Sequence, residues 1–481
     1  MSDALWTVAA MADAMNGHLV GVADAEPASV TGISIDTRSL QHGEAYFAIK
    51  GDVHDGHKFV AAAHAAGAAI SVVSEEWVSK LEGETGPLLV VDDVLAGLEK
   101  LGLAARARSS AKIVAITGSV GKTSTKEAVR TALSACGSVH ASAASFNNHW
   151  GVPLTLARMS EDVDFGVFEI GMNHPNEISP LVKMVQPNVA VINNVAAVHL
   201  GAFDSVDGIA RAKAEIFDGL VPGGTAVLNA DDERFELQKT FAKEAGVANI
   251  VSFGEAEGAD VRLTTVKLHG SCSCLSANVL GEDMMVKVGI PGRHMAQNAL
   301  AVLAIVKLFG ADLAQAGMAM AATQAVKGRG QRHKLKIDGG AMVLIDESYN
   351  ANPTSMSAAL ALLGSAATQG AGRRIAVLGD MLELGPQSKD FHAGLADAVL
   401  SNSVDLVFCV GPEMAYLHTA LSGKVACEHA LTIEDLLPSI LEALASGDVL
   451  MAKASLGMRF AILIDHLLQA YGTADTSNID G

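Results

Sequence analysis

Lys112-Ile-Val-Ala-Ile-Thr117-Gly118-Ser119-Val120-Gly121-Lys122-Thr123-Ser124-Thr125 passes from an unbroken apolar run into a glycine-rich turn, and Lys126-Glu-Ala-Val-Arg130 continues it with helix-forming residues. An apolar run without alternation is the mark of a strand covered on both faces, as in a parallel sheet flanked by helices. The turn has a chemistry of its own. Glycines let backbone N–H groups curl around phosphate oxygens, and a helix N-terminus adds its partial positive charge. Gly118, Ser119, Val120, Gly121, Lys122, Thr123 and Ser124 are therefore candidate nucleotide-binding residues. Lys122 is placed to reach the terminal phosphates and the Thr123 hydroxyl to bind Mg²⁺. The glycines stand three positions apart, where the usual phosphate loop has five. The shortening argues against an ordinary GTPase and points to an ATP user.

Outward from this segment the pattern repeats. Apolar runs at Phe165–Ile170, Val189–Val195 and Ala226–Asn229 alternate with helical stretches, which predicts βαβ units and a mostly parallel sheet. Val261–Leu268 and Met284–Ile290 alternate with a period near two, as antiparallel edge strands do, and a helix is expected over His294–Leu308. Gly328-Arg-Gly330 reads as a hinge. Beyond it, Met342–Ile345, Ile375–Leu378, Leu406–Val410 and Val449–Ala452 imply a second doubly wound unit. Before residue 109, shorter runs at Val30–Asp36, Ala45–Ile49, Ala69–Val73 and Pro87–Asp92, then a helix over Leu95–Arg108, imply a smaller α/β unit. The expectation is an α/β chain of three domains, 1–109, 110–330 and 331–481: a small N-terminal unit, a central P-loop ATPase-like parallel sheet and a C-terminal Rossmann-like unit. The polar stretch from Gly472 is expected to fray.

Composition agrees and narrows the function. At roughly 150 residues per domain, 481 residues suit three domains. Half the residues are hydrophobic and the mean hydropathy is +0.31, which excludes a mainly disordered chain. A net charge of −19 repels phosphate, so nucleic acid is not an expected partner and any phosphate ligand must be held by a local site. No apolar run reaches the ~20 residues of a membrane span, and no leader pattern opens the chain, so a cytoplasmic protein without membrane insertion is expected. Five scattered cysteines offer no disulfide framework, and Cys272 and Cys274 stand too close for the usual zinc spacing.

Three further residues are candidates by position. Glu169 ends a buried strand, where open α/β sheets bind ligands, and its hard oxygens suit Mg²⁺; a surface turn acid is the alternative. His199 follows Val191-Ile-Asn-Asn-Val-Ala-Ala-Val198 and reads equally well as a loop residue or as a ligand. Lys213, in a helical stretch, reads by default as a solvated lysine pairing with Glu215 or Asp218.

Several motifs taken together resemble the Mur ligases, the ATP-dependent amide ligases of peptidoglycan synthesis. Thr117–Ser124 matches the family's short phosphate loop, and Ser145-Phe-Asn-Asn-His-Trp-Gly-Val-Pro-Leu-Thr155 matches its substrate segment, with Asn147 and Asn148. Glu169-Ile-Gly-Met-Asn-His-Pro-Asn-Glu177, Tyr349-Asn-Ala-Asn-Pro-Thr-Ser-Met356 and Val377-Leu-Gly-Asp-Met-Leu-Glu-Leu-Gly385, with His392 after it, resemble the member acting last in the series. That member adds D-alanyl-D-alanine to UDP-N-acetylmuramoyl-tripeptide, and a sister ligase or a folylpolyglutamate-type ligase adding one amino acid is the alternative. The resemblance implies ATP and Mg²⁺, with Lys122, His199 and Lys213 catalytic, and Thr123, Glu169, His199 and a CO₂-carbamylated Lys213 around the metal. It also implies Asn298 on the adenine side, Arg329 on a phosphate, Asp346 on the ribose or the closing domain, and Tyr349 on the nucleotide or in domain packing. Asn350 and Asn352 would shape the C-terminal face, while Thr37, Arg38 and His57 would hold the uridine diphosphate half in a first domain devoted to that substrate. A monomer is expected. Two departures stand out: Asp346-Glu347-Ser348 where Asp-Asp is usual, and Lys453-Ala-Ser-Leu456 where Lys-Gly-Ser-Arg is usual.

Overall fold

Strand Lys112–Thr117 is buried from Ile113 onward, and its alternate side chains enter two different cores. Val114 and Ile116 pack with helix Arg293–Leu308, whereas Ile113 and Ala115 pack with helix Ile178–Val185. Helices on both faces explain why the run is apolar throughout. The computed structural model describes residues 4–21, 28–51, 53–81, 86–143, 145–198 and 200–472. His199 and the tail beyond Gly472 lie outside these residues.

The strand sits within a nine-stranded sheet ordered Glu282–Val288, Ser273–Val279, Val261–Leu268, Asn249–Gly254, Thr225–Asn229, Val189–Ile192, Lys112–Thr117, Phe165–Glu169, Val139–Ala141. From Val261–Leu268 to Val139–Ala141 all pairings are parallel. Ser273–Val279 and Glu282–Val288 extend the sheet antiparallel beyond Val261–Leu268; Glu282–Val288 is the edge strand that the period-two pattern predicted, whereas Val261–Leu268 lies inside the sheet, parallel to Asn249–Gly254. The chain leaves Lys112–Thr117 toward one edge and later fills the other side with Val189–Ile192. The phosphate loop thus opens at a reversal of strand order, where such sheets bind ligands.

A six-stranded sheet follows, ordered Gln331–Ile337, Gly340–Glu347, Val449–Lys453, Arg374–Gly379, Leu406–Val410, Ala426–Ala430. It is parallel except for the opening hairpin. Its two outer strands have no counterpart in the sequence reading, because Gln331-Arg-His-Lys and Ala426-Cys-Glu-His are polar in the manner of exposed edges. The N-terminal sheet runs His18–Val20, Leu88–Val91, Ile70–Ser74, Ala45–Phe47, Ile33–Ser34. The single strand expected over Val30–Asp36 is instead two short ones: Ser29–Val30 pairs with Trp6–Thr7, and Ile33–Ser34 pairs with Ala45–Phe47. Trp6 Nε1 donates to Ala157 O at 2.8 Å and Arg158 Nε to Ile33 O at 2.7 Å, tying this sheet to the central one. Among the described residues no helix is long and apolar enough to cross a membrane.

Candidate active site

The phosphate loop borders a cleft of about 770 Å³ that continues to the hinge and to the start of the C-terminal unit. Gly121 precedes helix Lys122–Ser134 with φ +81°, a conformation that costs glycine nothing. A β-carbon there would be strained and would lie 3.1 Å from Asn298 Nδ2 and 3.2 Å from Asn193 Nδ2, so a side chain at this position would press on both amides. The loop's polar groups are held by protein partners. Ser119 N donates to Asn194 O at 3.0 Å and Val120 N to Asn194 Oδ1 at 2.9 Å, while Lys122 Nζ folds back onto Gly118 O at 2.7 Å. Burial lowers the Lys122 pKa, with Glu169 opposing the shift and Arg329 adding to it. The Asn193-Asn194 pair was not among the expected site residues. The available signal was two amides directly after the buried strand Val189–Ile192, at the sheet end where ligands bind.

Glu169 is buried and lines the cleft. Its Oε1 accepts from Asn147 Nδ2 at 2.6 Å, but its Oε2 is buried with no partner. An orphaned carboxylate oxygen is costly unless something else satisfies it, and a divalent cation would do so. Thr123, 2% exposed, lies beside it in the cleft wall with its hydroxyl 3.5 Å from Ser145 Oγ. Among the described residues no three His, Cys, Asp or Glu side chains gather as a metal cluster.

The default reading of Lys213 does not hold. It is 2% exposed and pairs with neither acid. Glu215 spends its carboxylate on the N–H groups of Asn176, Ile178 and Ser179, and Asp218 accepts from Ser179 Oγ. Burial, reinforced by the Lys122 charge, pushes the Lys213 pKa well below the usual lysine range. That favours the neutral amine.

Asn298 is buried beside the phosphate loop, and Arg329 stacks its guanidinium 4.0 Å above the Tyr349 ring while donating to Ser145 Oγ at 3.2 Å. Asp346 does not line the cleft. Its carboxylate accepts from Gly328 N at 3.1 Å and from Ser348 N and Oγ at 3.0 and 2.6 Å, which holds the hinge in shape. Asn350 and Asn352 both line the cleft, and Asn352 caps helix Pro353–Ser365 in a capping box with Ser355. Glu347, in the first departing segment, meets the lysine that the second segment keeps: buried Lys453 donates to Glu347 Oε2 at 3.2 Å and to Asn350 O at 2.9 Å. His294, facing Glu347 and Lys453, has a pKa lowered by burial.

Thr37, Arg38, His57 and Asn148 lie outside this cleft. His57 is buried with both ring nitrogens committed, Nδ1 to Asp55 Oδ1 at 2.6 Å and Nε2 accepting from Ser74 N at 3.0 Å, and its ring stacks on Trp77. Arg38 is exposed and paired bidentately with Asp36. Asn148 Oδ1 accepts from the N–H groups of Trp150 and Gly151, at the start of helix Gly151–Ala157. The turn after Lys50 approaches that helix, since a β-carbon on Gly51 would lie 2.9 Å from the Trp150 ring.

Comparison with known proteins finds likeness over most of the chain. Residues 116–306 match the Mur ligase middle domain, 328–456 the Mur ligase, glutamate ligase domain, and 29–134 the Mur ligase family, catalytic domain. The UDP-N-acetylmuramoyl-tripeptide--D-alanyl-D-alanine ligase of Escherichia coli is 35% identical over 86% of this chain and 88% of its own. Its counterpart in Rickettsia prowazekii is 32% identical over 90% and 94%. A crystal structure of MurF from Acinetobacter baumannii superposes with a TM-score of 0.82 at 30% identity, covering 96% of this chain and 99% of that one. The MurF ligase of Thermotoga maritima in complex with ADP gives 0.74 at 25% identity, covering 91% and 97%. The phosphate loop, the strand-end carboxylate and the hinge thus stand in a chain that belongs to the Mur ligase family.

Proposed function

We propose that this protein is an ATP-dependent ligase that joins D-alanyl-D-alanine to UDP-N-acetylmuramoyl-tripeptide, the reaction named for its relatives in Escherichia coli and Rickettsia prowazekii. The observation that carries the reading is the single cleft in which the phosphate loop, Glu169 and the C-terminal segment around Tyr349 and Asn352 face one another. ATP on one wall and a carboxylate with its acceptor amine against the other is what such a ligation requires.

The tripeptide's terminal carboxylate attacks the γ-phosphorus of ATP, forming an acyl phosphate and releasing ADP. The amine of D-alanyl-D-alanine then attacks the acyl carbon, the C–O bond to phosphate breaks, and the amine gives up a proton as the amide forms. Lys122 leaves the Gly118 carbonyl for the transferring phosphoryl oxygens, where a fixed cation stabilises developing charge. Arg329, held over Tyr349 at the hinge, adds a second positive charge on the side that closes. Thr123 and Glu169, with a carbamylated Lys213 and His199, would hold Mg²⁺, and the partnerless Glu169 Oε2 fits that role. When bound, the ion supplies further neutralisation of phosphoryl charge. A neutral Lys213 amine can attack CO₂ and, on losing a proton, become a carbamate. Burial, which disfavours the ammonium, keeps the amine in the form that reacts, and the carbamate's negative charge would be offset by the Mg²⁺ it helps to hold.

Asn298 would meet the adenine side, and Asn147 and Asn350 the peptide ends. Thr37 and Arg38 would meet the uridine diphosphate, with His57 shaping their turn from within. One chain supplies every group, so the enzyme works as a monomer, and its nucleotide-linked substrates place it in the cytoplasm. The test is phosphate release from ATP with UDP-N-acetylmuramoyl-tripeptide, with and without D-alanyl-D-alanine, together with the mass of the product. Release that needs both, with the pentapeptide mass, supports the reading. Turnover with a single amino acid instead would move the protein to a sister ligase.

A further inference from the structure

One loop of the C-terminal unit reaches the central domain, and the ligase reading gives it no role. It follows strand Arg374–Gly379 and comprises Asp380-Met-Leu-Glu-Leu-Gly385. Its tip contains two left-handed residues, Glu383 at φ +65° and Gly385 at φ +65°. For glutamate that conformation is uncommon, and it persists only where the surroundings impose it. The tip touches the short turn Leu200–Ala202 of the central domain. Gly201 N donates to Glu383 O at 3.3 Å, and a β-carbon on Gly385 would lie 3.5 Å from Gly201 Cα. In sequence, that turn begins one residue after His199.

The base of the loop is anchored on several sides. Asp380, 2% exposed, accepts from Met414 N at 2.8 Å and Glu413 N at 3.2 Å, at the start of helix Met414–Leu421. His392, fully buried, accepts the Met381 N–H on Nε2 at 3.0 Å, while its Nδ1 donates to Ser388 O at 2.7 Å. Ser455 Oγ accepts from Leu382 N at 2.9 Å. Helix terminus, histidine and serine together fix three consecutive residues, so that the strained tip is presented in one orientation. A loop serving only its own unit would not need its tip on another domain.

We infer that residues 380–385 form a latch that seats the C-terminal unit on the Leu200–Ala202 turn, with Asp380, His392 and Ser455 as positioning residues, so that the cleft is sealed while the acyl phosphate exists. This rests on the ligase reading for its consequence but not for its geometry. With the latch loose, water reaches the acyl phosphate and cleaves it to the carboxylate and inorganic phosphate, with no amide formed.

The test uses the full-length protein and two variants. His392→Ala removes the acceptor for Met381 N–H, and His392→Gln should restore it through the amide oxygen. Gly385→Val burdens an exposed left-handed tip residue and leaves the core untouched. The first readout is phosphate released per pentapeptide formed. The inference expects a ratio near one for the wild type and His392→Gln, and a ratio clearly above one for His392→Ala and Gly385→Val, with the melting temperature of the latter lowered by no more than roughly a few degrees. A lower kcat with the ratio held at one in Gly385→Val overturns it. The second readout is hydrogen exchange at Gly201 N–H in the presence of a non-hydrolysable ATP analogue, which needs no turnover. Protection in the wild type that is lost in Gly385→Val supports the latch, and equal exchange in both overturns it. A wild type that protects Gly201 but makes no pentapeptide refutes the ligase reading alone.

Discussion

The phosphate loop and the two N-terminal turns that carry Arg38 and His57 are all short polar segments between apolar runs. In the structure their surroundings differ. In the N-terminal turns the polar groups satisfy one another: Asp36 holds Arg38, Asp55 holds His57, and His57 holds Ser74. The phosphate loop's own groups are also held by protein partners, but around it polar groups are left unfinished. Glu169 Oε2 and Asn193 Oδ1 are buried without hydrogen-bond partners, and Lys213 is buried with no counter-charge among the described residues. Such groups are costly to an empty protein and are kept where a ligand completes them. Internal satisfaction thus separates a turn that shapes itself from a pocket that awaits something.

The sharpest way to break this contrast is at the loop. Lys122→Met should reduce ATP-dependent ligation on the order of 10²–10³-fold, measured as kcat for pentapeptide, with the melting temperature nearly unchanged. A fall of only a few-fold would mean that Lys122 serves the loop and not the phosphates.

Lys213→Met should act in two directions. Activity falls on the order of 10–100-fold through weaker metal support, and the wild type's dependence on added bicarbonate disappears. Stability of the unliganded protein in CO₂-free buffer should rise. The folded lysine has the lower pKa, so between the two values the unfolded chain binds more protons, and wild-type stability climbs with pH. The variant's advantage should therefore be largest near neutrality and fade as the pH approaches the ordinary lysine range. An advantage independent of pH would contradict a depressed lysine.

His57→Ala tests the other half of the contrast. It leaves Asp55 and Ser74 N–H without their partner and should cost about 1–3 kcal/mol of stability, read by denaturant unfolding. Arg38→Ala should leave stability alone and raise KM for the nucleotide-linked substrate. If His57→Ala instead changes only KM, the histidine is a ligand contact after all. The smallest effect is expected from Glu347→Asp. The shorter acid loosens its hold on Lys453, with a change of a few-fold at most in kcat for an intact cleft.

The central sheet was the most legible part of the fold. Strand Lys112–Thr117 and helix Arg293–Leu308 stand where the apolar pattern put them, because a strand buried on two faces and a long buried helix tolerate few polar residues. The edges were not legible: Gln331–Ile337 and Ala426–Ala430 carry mixed polar side chains, and only their neighbours make them strands. Of the candidate site, the glycines, Lys122 and Glu169 could be read from position. Asn194 had a positional signal too, but its role of holding the loop was not legible, since it follows from the fold laying strand Val189–Ile192 against the loop's strand.

By itself, then, the sequence determined the alternation of strands and helices, the phosphate loop and the acid at a strand end, since each follows from local pattern within some fifteen residues. Only the tertiary structure decided that Lys213 is buried and uncharged by preference, that His57 faces inward, that Asp346 serves the hinge, and that Glu347 meets Lys453. These four depend on which groups far apart in the chain come within hydrogen-bond reach or exclude water. Burial and pairing are properties of the assembled fold, and no spacing along the chain encodes them.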